Sequence, residues 1–183
     1  MKCDICQGNL VTRTQQTYHY TESGLDNVYL KNVQVRVCQS CGEKNLRISH
    51  ILELHETIAR GIALQPCPLR GQDVRFLRKQ LGYSAKQWAT FLRIDVSTLS
   101  RWENGQQEIG PQSDALLRLL YFRLLDESKG KVTPESVAAA SAAVTSACSL
   151  KVCVNMENPA VFSYQTRTAG RSRGTGNHAR LNG

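Results

Sequence analysis

The sequence predicts an α+β chain of two domains. A small antiparallel-β zinc ribbon with a helix comes first, an all-α helix-turn-helix domain follows, and a disordered tail closes the chain. Three observations carry this reading. Two Cys-x-x-Cys pairs, Cys3/Cys6 and Cys38/Cys41, bracket β-favouring stretches. Residues 72–125 then carry apolar residues at helical spacing in short segments with stop signals. Beyond residue 128 the composition turns Ala-rich, then rich in Gly, Ser and Arg, which cannot bury enough apolar surface to order itself.

Each element has its own signal. Residues 10–20 are rich in Val, Thr and Tyr. Residues 28–37 contain Val33, Val35 and Val37 alternating with Gln34 and Arg36, the period of a half-buried strand. Ser23-Gly24 and Asp26-Asn27 supply the turn between them. Residues 45–60 place Ile48, Ile51, Leu52, Leu54 and Ile58 on a helix expected to end at Gly61. Pro66 and Pro68 flank Cys67 and favour an extended linker. The reading is therefore a zinc-binding domain over 1–63, a linker over 64–70 separating two cores, a helix-turn-helix domain over 71–128, and an Ala-rich segment with a disordered basic tail over 129–183. Within the third segment the helices are expected near 72–81, 85–92, 96–104 and 112–125. Ser84 and Asp95 are N-cap candidates, and Gly82 and Gly105 are stops.

Composition limits the function. A chain of 183 residues suits one or two domains. No stretch approaches the about 18 consecutive apolar residues of a membrane span, and the start MKCDICQGNL lacks an apolar export core, so a cytoplasmic location is expected. The net charge of +8 favours an anionic partner. That excess grows along the chain: residues 1–60 are net +1, 61–130 net +3 and 131–183 net +4. DNA binding is therefore expected from the later segments. Seven cysteines, an odd number, argue for metal rather than a disulfide framework.

A two-residue gap lets both sulfurs of a pair reach one ion from a tight turn, and four thiolates close a tetrahedral site. Cys3, Cys6, Cys38 and Cys41 are thus expected to hold one structural zinc ion per chain, zinc being favoured over iron because nothing suggests a redox task. Gly8 and Gly42 come shortly after the pairs, where the backbone needs freedom. Cys67, Cys148 and Cys153 have no ligand-like spacing and read as incidental thiols, and His50 and His55 as surface residues. No nucleophile–base pair, phosphate loop or open metal site is present, so no catalytic residue is assigned and an enzyme is not expected.

Residues 84–105 read SAKQWATFLRIDVSTLSRWENG, two short helices around the turn Arg93-Ile94-Asp95. Trp88, Ala89, Leu92, Leu99 and Trp102 would face the core, which sets the second helix for a major groove. Val96, Ser97, Ser100 and Arg101 become base-reading candidates. Arg101 could pair bidentately with guanine, hold a phosphate, or pair with Glu103 or Asp95. Asn104 suits a phosphate contact where the chain leaves the groove. The string resembles the phage-repressor (Xre-like) helix-turn-helix. That family usually has Gln where this chain has Ala85, so the phosphate contact is expected to be missing or moved to Lys86 or Gln87. It usually has Gly in the turn where this chain has Arg93, at a cost of roughly 1 kcal/mol if φ is positive, though Arg93 could add a phosphate contact.

The ribbon and the helix-turn-helix together resemble the MqsA-type antitoxins, over about residues 1–125. Met1-Lys2-Cys3, the second cysteine pair and Ser100-Arg101 carry the match. The resemblance implies a type II antitoxin. Its zinc domain would neutralise an RNA-cleaving toxin, and its second domain would form a homodimer on a double-stranded operator and repress its own operon. The four cysteines carry over as zinc ligands and Arg101 as a DNA reader. Ser97 stands where a family member has Asn, so the operator is expected to differ. The alternative is a zinc-ribbon helix-turn-helix transcription regulator with no toxin partner.

Overall fold

The structure is a computed structural model. It describes residues 2–46, 48, 50–129 and 150–166. The Ala-rich stretch and the end of the tail expected to be disordered both lie outside those residues.

Strands β1 (Leu10–His19) and β2 (Val28–Cys38) form a long antiparallel hairpin, Leu10 opposite Cys38 and His19 opposite Tyr29. The short β3 (Lys44–Leu46) pairs with the end of β2. Val33 and Val35 are buried, as their alternation predicts, but so are Val28 and Leu30, which are out of phase with them. The phase changes at Asn32, whose φ of 54° turns the strand from one face to the other. Helix α1 (Ile51–Leu64) lies against the buried face. It starts later than the sequence suggests, because Lys44–Leu46 is a strand, and it runs through Gly61 instead of stopping there.

The reason for Gly61 lies much later in the chain. Residues 150–166 form β4 (Leu150–Asn155) and β5 (Asn158–Thr166), an antiparallel hairpin. Strand β4 adds to β2 in parallel over Val28–Lys31, giving the order β1-β2-β4-β5. The hairpin lies on α1 at Gly61, where a Cβ would sit 3.0 Å from Val152 Cγ1 and 3.3 Å from Phe162 Cδ2. Tyr164 Oη donates to Gly61 O at 2.5 Å. Part of the segment read only as an Ala-rich stretch and basic tail therefore completes the sheet. Its apolar residues Val152, Val154 and Phe162 are buried, and their alternation is a strand signal that the bulk composition of 129–183 conceals.

Four helices come between: α2 (Gly71–Gln80), α3 (Ala85–Leu92), α4 (Val96–Glu103) and α5 (Pro111–Lys129). Gly82 and Gly105 take φ of 76° and 68° at the expected stops. Trp88, Ala89, Leu92, Leu99 and Trp102 are buried, as the pattern requires.

The segment between the halves is extended but firmly held. Gln65, Cys67 and Leu69 are buried, and Cys67 is disulfide-bonded, not an incidental thiol; Cys148 lies outside the described residues. Arg118, on α5 and fully buried, donates to the carbonyls of Ala63 (2.9 Å), Gln65 (2.6 Å) and Cys67 (2.6 Å) and pairs with Asp114 at 2.5 Å. Asp114 in turn accepts from Leu69 N at 2.6 Å. One apolar core runs from Val28 and Leu30 through Ile58 and Ile62 to Leu77, Trp88 and Tyr121. Among the described residues no helix is long and apolar enough to cross a membrane.

Candidate metal centre and nucleic-acid interface

The two cysteine pairs sit on two copies of one turn. In the first, Gln7 N donates to Cys3 O and Cys3 N to Gly8 O, both at 2.9 Å. In the second, Gly42 N donates to Cys38 O at 3.1 Å and Cys38 N to Glu43 O at 2.8 Å. The fourth residue after each leading cysteine takes positive φ: 58° at Gln7 and 74° at Gly42. Gly42 answers the backbone requirement read from sequence. Gly8 answers a different one, since a Cβ there would lie 2.6 Å from Ser40 Oγ and 3.0 Å from Cys38 Sγ. The β1–β2 hairpin brings the two turns together by pairing Leu10 with Cys38.

The four Sγ atoms all lie within 4.8 Å of one another, with Cys3–Cys41 at 3.7 Å and Cys6–Cys38 at 3.4 Å. Four sulfurs about 2.3 Å from one tetrahedral zinc ion stand about 3.8 Å apart, so the set fits that ion closely. Backbone N–H groups of Cys41 and Ser40 hold the Cys38 thiol down, at about 6. At Cys41 the backbone of Glu43 also favours the thiolate, but Cys6, burial, Cys38 and Cys3 outweigh it and push the thiol up to about 12. Crowded sulfurs resist a second negative charge, and a divalent cation relieves that resistance. All four positions are filled by protein, so the site is structural. His50 is exposed and apart from it, and His55 bonds Tyr20 Oη at 2.9 Å and packs edge-on against Phe76, so it is not a simple surface residue.

The helix-turn-helix has its own geometry. Ser84 caps α3: its Oγ accepts from Gln87 N at 3.3 Å, and Gln87 Oε1 accepts from Ser84 N at 2.9 Å. Gln87 is exposed. Asp95 stands at the N-cap of α4, although its side chain makes no capping bond. Arg93 takes φ 54° and ψ 43°, the left-handed conformation that a turn glycine would adopt. Lys86, Arg93, Val96, Ser97, Ser100, Arg101 and Asn104 are all exposed. Glu103 is occupied elsewhere: Arg78 Nε and Nη2 grip its carboxylate at 2.7 and 2.9 Å, and Arg75 Nε approaches at 3.4 Å. Among the described residues Arg101 therefore has no ion pair. Sequence reasoning missed this Arg75–Arg78–Glu103 network, because α2 and α4 meet only in the fold.

Comparison with known proteins decides the family. The model for the antitoxin component of bacterial toxin-antitoxin system, MqsA, matches residues 1–129, well over half the chain. This chain belongs to the MqsA antitoxin family. No match was found among curated proteins or among solved structures. The MqsA match takes in both cysteine turns, the pinned segment and helices α1 to α5. It stops before the β4–β5 hairpin, so the two strands that complete the sheet lie beyond the matched region. Within an MqsA-family chain the four-cysteine cluster is the site of one structural zinc ion.

Proposed function

We propose that this chain is a sequence-specific DNA-binding antitoxin, not an enzyme, acting in the cytoplasm. In this reading its ribbon half neutralises an RNA-cleaving toxin and its helix-turn-helix represses its own operon. The observation that carries the DNA half is the exposed face of α4, where Arg101, in the last turn, has no ion pair among the described residues because Glu103 is held by Arg78 and Arg75. An unpaired, exposed arginine beside Ser97, Ser100 and Val96 suits base reading in a major groove. Lys86, Gln87 and Arg93 flank that face and suit phosphate contacts, which set register without sequence information.

A homodimer belongs to the same reading, because paired half-sites require two recognition helices. Leu116 and Leu119 on α5 are exposed at 46% and 41%, and Leu120 and Leu124 are half-buried beside them. Exposed leucines on one helix suit a two-fold contact. Zinc, once bound, cross-links the start of the chain to the β2–β3 turn. Cys3 and Cys6 hold it from one side, Cys38 and Cys41 from the other.

The test joins two readouts. The chain is footprinted on the DNA upstream of its own reading frame, and it is co-expressed with the adjacent reading frame. Two protected half-sites one helical turn apart, and relief of growth arrest, are expected. No protection above that on scrambled DNA would remove the repressor role. Protection without relief of any neighbouring toxin would leave a regulator only.

A further inference from the structure

The exposed hydroxyl of Ser100 has a defined partner. Arg75 Nη2, reaching from α2, donates to Asn104 Oδ1 at 2.6 Å and to Glu103 O at 3.1 Å. A guanidinium carries five N–H donors and no acceptor. The contact therefore fixes which end of the Asn104 amide faces Arg75: the carbonyl oxygen. The amide nitrogen then faces Ser100 and donates to its Oγ at 3.3 Å. A serine hydroxyl has one proton and two lone pairs. Here one lone pair is taken by a donor that cannot accept in return, which strengthens the hydroxyl as a donor and weakens its remaining lone pair as an acceptor, and among the described residues no acceptor takes the proton. Arg75 itself is anchored by Glu103, which the nearly buried Arg78 grips.

We propose that Arg75, Asn104 and Ser100 form a one-directional hydrogen-bond relay that biases Ser100 towards donating to DNA, so that α4 favours an acceptor over cytosine at the base Ser100 faces. The inference rests on the reading that α4 enters a major groove. There, guanine offers N7 and O6, adenine N7 and thymine O4, whereas cytosine offers only its N4 amine as a donor. An isolated serine would turn its proton either way and discriminate little. Arg75 and Asn104 touch no base in this scheme; they are positioning residues. Exclusion of water at the DNA surface strengthens such a chain, since each bond polarises the next. In this scheme Asn104 serves the relay in place of the phosphate contact expected of it.

The relay has a sharp consequence for Asn104→Asp. A carboxylate only accepts. It would keep the bond from Arg75 and take the Ser100 proton, leaving Ser100 with lone pairs towards the base. The preference should then invert towards the exocyclic amines of cytosine or adenine. The experiment selects bound duplexes from a randomised library with the wild-type chain and with Ser100→Ala, Asn104→Ala and Asn104→Asp. Wild type should deplete cytosine at one position. Ser100→Ala and Asn104→Ala should lose that depletion by about threefold to tenfold, the value of one hydrogen bond, and keep the guanine facing Arg101. Asn104→Asp should enrich cytosine or adenine at the same position. Ser100→Ala, an exposed helical alanine, keeps the test valid should either Asn104 variant misfold. If wild type selects a sequence and all the folded variants select the same one, the relay is wrong, and Ser100 faces phosphate or solvent. If wild type selects no sequence, the groove-reading helix itself fails, and the relay with it.

Discussion

Replacing Arg118 by Met tests whether the segment between the two halves is a structural tie. The side chain is 1% exposed, and its partner Asp114 is 4% exposed. Methionine keeps most of the packing volume but removes every donor. Asp114 would keep the Leu69 N–H at 2.6 Å but lose the counter-charge that stands 2.5 Å away. The carbonyls of Ala63, Gln65 and Cys67 would lose a charged donor in the same step. Removing one partner of a buried ion pair costs about 3–5 kcal/mol. That is a large share of the about 5–15 kcal/mol by which domains of this kind are stable. Urea unfolding followed by the fluorescence of the buried Trp88 and Trp102, and by circular dichroism, gives the number. Adding Asp114→Asn should recover part of the loss, because a neutral amide can still accept from Leu69 and needs no counter-charge; the coupling should exceed about 1 kcal/mol. A loss below about 1 kcal/mol for Arg118→Met alone would refute the reasoning and return the segment to the free linker that its prolines suggest.

Three further outcomes are expected. Cys38→Ser should lose the metal and the exchange protection of both cysteine turns while β2 stays protected through Val28, Leu30 and Val33, because binding energy is folding energy only where the ion is the core; metal analysis with hydrogen exchange reads both. Tyr164→Phe should cost about 0.5–1.5 kcal/mol by deleting the bond to Gly61 O, and deleting residues 150–183 should cost more, since the loss of Val152 and Phe162 leaves α1 uncovered. Burial holds the His55 imidazole below its ordinary value, so the unfolded chain takes a proton near pH about 6.5 that the folded chain resists. Stability should fall as pH drops below that point, and His55→Gln should flatten the slope in denaturation curves taken from pH 7 to pH 5.

What the sequence made legible was local. The cysteine pairs, the capped short helices, Gly82, Gly105 and the left-handed Arg93 are each decided within a few residues, and the structure places them as read. What it hid depends on distant partners. Gly61 reads as a helix stop, yet it sits inside α1 because Val152 and Phe162 need the space of its missing side chain. Val28 and Leu30 read as out of phase until Asn32 turns the strand. The proline pair around Cys67 reads as a flexible boundary because nothing nearby announces that Arg118, more than fifty residues on, will bind its carbonyls. On α4 the exposure of the candidate residues was legible, but the competition for Glu103 that frees Arg101 was not, since Arg75 and Arg78 come from another helix.

The central claim is that the exposed face of α4 reads DNA sequence through Arg101. It is tested most directly by titrating Arg101→Ala and Lys86→Ala against the chain's own upstream DNA and a scrambled duplex at two salt concentrations. Each substitution removes one positive charge, so charge alone cannot separate them. The account predicts that Arg101→Ala costs about 1–3 kcal/mol on the upstream DNA and little on the scrambled duplex. It predicts that Lys86→Ala weakens both equally and lowers the salt slope by about one. Equal weakening of both duplexes by Arg101→Ala would contradict the claim, making Arg101 a phosphate contact and leaving sequence reading to Ser97 and Ser100.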